Sequence, residues 1–290
     1  SSDEIGIGVS YLASDLPQGR DGVGYAALQA AAVAAGPPPA QAGLTVEQTD
    51  REVAALAGIR GGGSADRRRA ALSELFSLAT GEERAFLLQL LVGELRQGAL
   101  AGVMIDAIAA AAGLPGAEVR RAAMYAKNLG EVALAAMTAG AAGLRRFQLQ
   151  LFSPVAPMLA QTAADVEEAL RELGGGELAL EWKLDGARVQ AHKESEQVRL
   201  YTRTLNEITD ALPEIVTAVS ALPEQPLVLD GEAIDYDASG RPHPFQVTMR
   251  RFGRRLEVAK LLADLPVRAY FFVCLRVDGR SLQDRPLRER

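Results

Sequence analysis

The hydrophobic pattern of this chain changes its period once, near residue 150. Before that point apolar residues recur at the three- and four-residue spacing of helices. Thr80-Gly81-Glu82-Glu83 reads as a capping box: the Thr80 hydroxyl accepts from an early backbone N–H and Glu83 reaches back. The apolar stripe Phe86, Leu87, Leu90, Leu91, Leu95 follows, and Gly98 is the expected helix stop. The same spacing predicts helices over about 66–79, 101–112, 116–128 and 130–141, separated by Gly113-Leu114-Pro115-Gly116 and Asn128-Leu129-Gly130. Three consecutive prolines, Pro37 to Pro39, impose a loop. Residues 1–148 therefore read as an all-α domain.

After Pro154 the alternation shortens to two. Leu178, Leu180 and Trp182 would share one strand face, with Glu181 and Lys183 on the other. Val189–His192, Val198–Tyr201, Leu227–Leu229 and Tyr270–Val273 are expected strands; Ala163–Leu173, Leu212–Ala221 and Leu256–Leu262 are expected helices. Residues 149–290 thus read as an α+β domain with an antiparallel sheet, which makes the chain multi-domain.

A weak internal echo runs across the helical part. Leu16-Pro17-Gln18-Gly19 before Gly22-Val23 is similar to Leu95-Arg96-Gln97-Gly98 before Gly102-Val103, and each precedes an Ala-rich apolar segment. Either two helix–Gly–helix joints coincide, or a duplicated unit uses its glycine turns to bring backbone N–H groups to phosphates on both sides of a duplex.

At 290 residues with 48% hydrophobic and 23% charged content, the chain has the make-up of an ordinary globular protein. It contains no apolar run of bilayer length, so no membrane partner is expected, and a monomer in the cytoplasm is. One cysteine, Cys274, excludes an internal disulfide; with two histidines it leaves little for a structural zinc site. The net charge of −6 argues against a uniformly cationic nucleic-acid binder, although residues 51–150 carry 12 basic against 9 acidic side chains.

Of the 31 basic residues only four are lysines, leaving 27 arginines. A guanidinium stays protonated, whereas an ammonium can lose its proton and attack phosphorus or a carbonyl. Lys183, in Glu181-Trp182-Lys183-Leu184-Asp185-Gly186-Ala187-Arg188, is therefore the candidate nucleophile. Asp185-Gly186 favours a tight hairpin that would bring Lys183 beside a returning strand carrying Arg188, whose charge would favour the free amine. Asp230-Gly231-Glu232 closes an apolar strand and offers carboxylates for Mg²⁺ or ribose hydroxyls. Arg203 offers a phosphate clamp, and Phe272 a face for a base.

Together these residues resemble the ATP-dependent DNA ligases, within the covalent nucleotidyltransferases. Glu181 to Arg188 matches the family's first motif, Thr202-Arg203 its arginine motif, and Leu229-Asp230-Gly231-Glu232 its third motif. Phe272 to Leu282 looks like its aromatic motif, with Val273-Cys274 where Asp-Leu is usual. Phe86 to Gly98 and Pro154 to Ala160 are similar to the DNA-binding domain and linker of the larger enzymes; Pro244-Phe245-Gln246 with Arg250-Arg251-Phe252-Gly253 is similar to the bacterial ligase B type. The resemblance implies an all-α DNA-binding domain over 1–148 and part of a nucleotidyltransferase domain over 149–290, incomplete at its C-terminus.

The resemblance also implies ATP and Mg²⁺ as cofactors, nicked duplex DNA as partner, and the sealing of nicks through a lysyl-AMP at Lys183. Glu181 would recognise adenine, Arg188 and Arg203 phosphates or ribose, Glu232 ribose or metal, and Phe272 the base. Arg96, Gln97, Gly98, Gln18 and Gly19 would contact DNA. Because the family's later lysine motifs and its oligonucleotide-binding fold do not follow Glu232, the chain is expected to be a fragment that binds nicks weakly without sealing them. An RNA ligase or capping enzyme, or a nick-binding module without turnover, are the alternatives.

Overall fold

The computed structural model describes every residue except 1, 15, 17–23, 94, 96–100, 158–159, 175, 238 and 253–265. The chain folds as two compact units, Ser1–Gln148 and Leu149–Arg290.

The first unit is helical: α1 (Ser2–Leu12), α2 (Tyr25–Ala34), α3 (Val46–Gly58), α4 (Ser64–Leu78), α5 (Gly81–Val92), α6 (Ala101–Ala112), α7 (Gly116–Tyr125) and α8 (Leu129–Leu144). Side chains of Thr45, Thr80 and Asn128 accept from the third residue of α3, α5 and α8, satisfying donors that a helix start leaves open. The capping box at Thr80 is complete, with Thr80 N–H donating to Glu83 Oε2 at 2.8 Å. The helix it starts ends earlier than expected. Gly93, at φ 78°, takes the left-handed stop, because glycine adopts that conformation without a Cβ penalty. Gly98 lies outside the described residues.

Two apolar clusters fill this unit. One joins Leu28, Leu72, Leu75, Phe76, Leu87 and Leu90; the other joins Ile105, Ile108, Val119, Val132 and Ala136. Helices α1 and α8 meet through small residues, and a Cβ on Gly130 would lie 2.3 Å from the Gly6 carbonyl oxygen. Of the internal echo, the two Ala-rich helices α2 and α6 are present, while most of the turn residues lie outside the described set.

The second unit is built on an antiparallel sheet of order β2-β1-β3-β4-β5, with β1 (Ala187–Glu194), β2 (Gln197–Thr202), β3 (Leu227–Asp235), β4 (Val267–Val277) and β5 (Arg280–Ser281). Helices α9 (Val166–Glu172), α10 (Pro213–Ser220) and α11 (Phe245–Phe252) complete it. Val189, Ala191, Val198 and Leu200 on one sheet face pack on Leu212, Ile215 and Val219 of and beside α10. Lys193 donates from Nζ to the carbonyls of Ser220 (3.0 Å) and Leu222, closing the C-terminal end of α10.

The other face of β1 is polar and holds the segment that enters the unit. The Phe152 N–H donates to His192 Nδ1 at 2.9 Å, and the Val155 N–H donates to Gln190 Oε1 at 2.8 Å. Since Nδ1 accepts, the His192 proton sits on Nε2 and is donated to Gln190 Oε1 at 2.9 Å. Tyr201 O–H donates to the Phe152 carbonyl at 2.9 Å, so three side chains fasten one strap across two strands.

Several local expectations are overturned. Leu178 to Lys183 is not a strand: Leu180 and Trp182 are 88% and 93% exposed, so their alternation has no surface to bury against. Asp185-Gly186 makes no hairpin but runs into β1, and the β1–β2 connection falls at Ser195-Glu196 instead. Asp230-Gly231-Glu232 sits within β3, paired on both sides, not at a strand terminus. Helix α11 was not foreseen, and the expected helix Leu256–Leu262 lies outside the described residues.

Candidate functional site

A cavity of about 870 Å³ opens in the second unit. Glu181, Lys183, Arg188, Arg203, Glu232 and Phe272, singled out from the sequence, all line it. They come from four places: the extended run before β1, β1 itself, the turn after β2, and the paired strands β3 and β4. Its volume falls within the range of small-ligand sites.

Two glycines bring these elements together by close approach, not by a turn. A Cβ on Gly186 would lie 2.4 Å from the Ala233 carbonyl oxygen, and one on Gly231 would lie 2.4 Å from the Tyr270 carbonyl oxygen. The bare backbone at Gly186 lets its N–H donate to Glu232 Oε1 at 3.2 Å. At Gly231 the β3–β4 register shifts between Asp230 and Gly231.

Arg188 is gripped by Asp230, through Nε to Oδ1 at 2.9 Å and through Nη2 to Oδ2. The Asp230 side chain is 6% exposed, and burial raises its pKa against the pull of Arg188. This carboxylate is therefore an anchor for Arg188 and not the free ligand suggested by the Asp-Gly-Glu pattern. Glu232 remains half-buried on the cavity wall; burial raises its pKa, while the Gly186 N–H, Arg188 and Lys183 oppose the shift.

Arg203 stands exposed on a turn shaped by its neighbours. Thr202 Oγ1 accepts from the Asn206 N–H at 3.2 Å, Asn206 Nδ2 donates to Thr204 Oγ1 at 3.0 Å, and Leu205 takes φ 65°. Phe272 is 45% exposed on β4, with its ring on the cavity. Lys183 is exposed as well, and among the described residues it is the lysine on this cavity; Lys193 is committed to α10.

Sequence reasoning missed three contributors. Phe245, Met249 and Phe252 of α11 line the cavity beside Trp182. Their spacing of four and three is a helix stripe that would be read as a core face. The role of Asp230 as anchor was hidden because pairing between strands is invisible in a linear motif. The five nucleic-acid candidates Gln18, Gly19, Arg96, Gln97 and Gly98 lie outside the described residues.

For a cation the site offers little protein coordination. Among the described residues no group of three or more His, Cys, Asp or Glu could hold a metal. One carboxylate, Glu232, suits Mg²⁺ arriving with phosphate oxygens and water, which is how that ion is commonly held. Among the described residues no helix is long and apolar enough to cross a membrane.

Residues 157–290 match the family model described as ATP dependent DNA ligase domain, and residues 11–109 match the model described as DNA ligase N terminus. A protein of Anaeromyxobacter dehalogenans (strain 2CP-C) named "Probable DNA ligase" is 57% identical over 288 residues, covering 99% of this chain and 56% of that protein. One of the same name from Sorangium cellulosum (strain So ce56) is 52% identical over 290 residues, covering 100% of this chain and 54% of that protein. The chain thus spans about half the length of the curated relatives it matches. A solved mycobacterial DNA ligase D complexed with ATP and MES is 31% identical, with a TM-score of 0.31 over 38% of this chain and 33% of that one; the superposition carries no weight.

Proposed function

The chain belongs to the ATP-dependent DNA ligases, and on that premise we propose that its second unit binds ATP and forms a lysyl-AMP at Lys183 on the way to sealing nicked duplex DNA. The observation that carries the reading is a cavity where Lys183 meets Arg188, Arg203, the carboxylates of Glu181 and Glu232, and the exposed ring of Phe272.

The neutral Lys183 amine attacks the α-phosphorus in line. A N–P bond forms, the bond to the pyrophosphate oxygen breaks, and the amine gives up a proton. Arg188, fixed by Asp230, and Arg203 neutralise charge that grows on the phosphate oxygens, which is where most of the rate in phosphoryl transfer originates. Glu232 would hold Mg²⁺, which when bound supplies further charge neutralisation at the phosphates. Phe272 receives the base, and Glu181 its polar edge.

In the second step an oxygen of the 5′-phosphate at the nick attacks the same phosphorus, and Lys183 leaves, regaining its proton. The 3′-hydroxyl then attacks the activated 5′-phosphate and AMP departs. The helical unit would grip the duplex through backbone contacts without sequence preference.

Incubation with α-labelled ATP and Mg²⁺ tests the reading. Wild type should retain the label covalently, and Lys183→Arg should retain none, since a guanidinium keeps its charge. Equal labelling of both proteins would remove Lys183 from the chemistry.

A further inference from the structure

Helix α11 is amphipathic the wrong way round. Its inward face carries Thr248 and Arg251, which are 0% and 1% exposed. Its apolar residues Phe245 and Met249 are 40% and 39% exposed and line the cavity with Phe252. An apolar stripe normally goes to the core, because removing its area from water is the main gain a surface helix offers. A helix that holds this stripe over an opening needs a polar anchor beneath it.

The anchor is Arg251. Its Nη2 donates to Glu214 Oε1 of α10 at 2.6 Å, and the same oxygen accepts from the N–H of Val267 at 3.4 Å. Val267 is the first residue of β4, the strand that carries Phe272. Asp235, at the end of β3 and 0% exposed, interacts electrostatically with Arg251 and with His243, whose N–H also donates to the Asp235 carbonyl at 2.8 Å. The guanidinium therefore bonds α11 directly to α10, meets β4 through the shared Glu214 carboxylate, and faces β3 through its electrostatic attraction to Asp235.

Resting on the nucleotide reading above, we propose that Arg251 is a positioning residue. It holds α11 with its polar face down so that Phe245, Met249 and Phe252 present an apolar wall to the heteroaromatic base of the bound nucleotide. The division of labour is then chemical: Lys183, Arg188 and Arg203 meet phosphates, and the α11 wall meets the base.

Two ligands separate this from a purely structural role: ATP, which has a base, and inorganic tripolyphosphate, which has none. Binding to the intact chain is followed by equilibrium dialysis and by the fluorescence of Trp182, the only tryptophan and itself on the cavity. Arg251→Met and Met249→Ala should each weaken ATP by about tenfold, the size expected for one lost apolar contact, and leave tripolyphosphate within about twofold. Arg251→Lys should recover part of the ATP loss, since it restores a charge toward Glu214. Equal losses for both ligands, or none for ATP, would overturn the wall. Met249→Ala keeps the test open should Arg251→Met fail to fold, because Met249 faces the opening. A wild type that binds neither ligand would instead overturn the nucleotide reading and the wall with it.

Discussion

Arg188 on β1 and Asp230 on β3 form a two-pronged ion pair on the cavity wall, with Nε–Oδ1 at 2.9 Å and Nη2–Oδ2 as the second prong. A fork-to-fork pair fixes the plane of the guanidinium as well as its position. Arg188 keeps 29% of its side-chain surface open, enough to meet a phosphate while its other edge stays anchored. Asp230→Asn keeps the shape but removes the charge, and the amide nitrogen then faces a donor. The rate of label transfer from ATP to Lys183 should fall about ten- to hundredfold, as expected when a positioned group is displaced by about an ångström. A rate equal to wild type would mean that Arg188 works without its anchor.

The two Asp-Gly pairs make a different prediction, about packing. Gly231→Ala would set a Cβ 2.4 Å from the Tyr270 carbonyl oxygen and 2.9 Å from the Phe271 Cα, both backbone atoms that cannot move aside. The second unit should lose about 1–3 kcal/mol, the range for overpacking, with the β3–β4 pairing affected first. Gly8→Ala is the control. It lies inside α1 with nothing within 4 Å of the added Cβ, and should stabilise the first unit by about 0.5–1 kcal/mol. Chemical denaturation of both variants checks the contrast; an unaffected Gly231→Ala would show that the strands separate freely.

These glycines also mark where the sequence could be read and where it could not. Period and caps located helices α4 to α8 and strands β1 to β4, because both depend on near neighbours along the chain, but missed two ends: α5 stops at Val92 and β3 runs on to Asp235. The Lys-x-Asp-Gly-x-Arg string showed which residues belong together. It did not show why its glycine is there: a turn was expected, and the reason is contact with Ala233, forty-seven positions downstream. The α11 wall was hidden for a related reason. Periodicity shows that Phe245, Met249 and Phe252 share a face, but which way that face points depends on where Arg251 finds Glu214.

His192 should make the second unit acid-sensitive. It is fully buried, accepts from the Phe152 N–H at Nδ1, and has its pKa lowered by burial from 6.5 to about 4. Protonation would face one N–H with another. A folded pKa below the unfolded value means that the unfolded state binds more protons between pH 6.5 and 4. The stabilisation is therefore complete above 6.5 and lost as pH falls through that window, on the order of 3 kcal/mol in all. Asp230, Glu232 and Asp235 act in the opposite sense, since burial raises their pKa values and the folded state takes up their protons first. Comparison with His192→Gln isolates the histidine, because that amide can still accept from Phe152 without titrating. The difference in stability between wild type and variant should shift against the wild type as pH drops from 6.5 to 4; a constant difference would assign the acid response elsewhere.

In the helical unit one buried cation closes a joint that capping alone leaves open. Arg84 of α5 is 8% exposed and donates from Nε to the carbonyls of Phe76 (2.6 Å) and Ala79 (3.1 Å), and from Nη1 to that of Gly36 (2.7 Å). Phe76 and Ala79 lie at the C-terminal end of α4, where carbonyls lack helical partners and the helix dipole favours a positive charge. Gly36 belongs to the proline loop, so one guanidinium secures α4, α5 and the loop after α2. Arg84→Met keeps much of the volume but leaves the buried carbonyls of Phe76 and Ala79, and the more open one of Gly36, without this donor. The unit should lose about 2–4 kcal/mol, since a hydrogen bond from a charged group contributes about 1.5–3 kcal/mol and carbonyls left unpaired add to the loss. Arg84→Lys supplies one point donor in place of a fork and should recover less than half. Hydrogen exchange should show the α4–α5 junction opening first, at Ala79 and Thr80; protection unchanged there would mean that the Thr80 capping box holds the joint by itself.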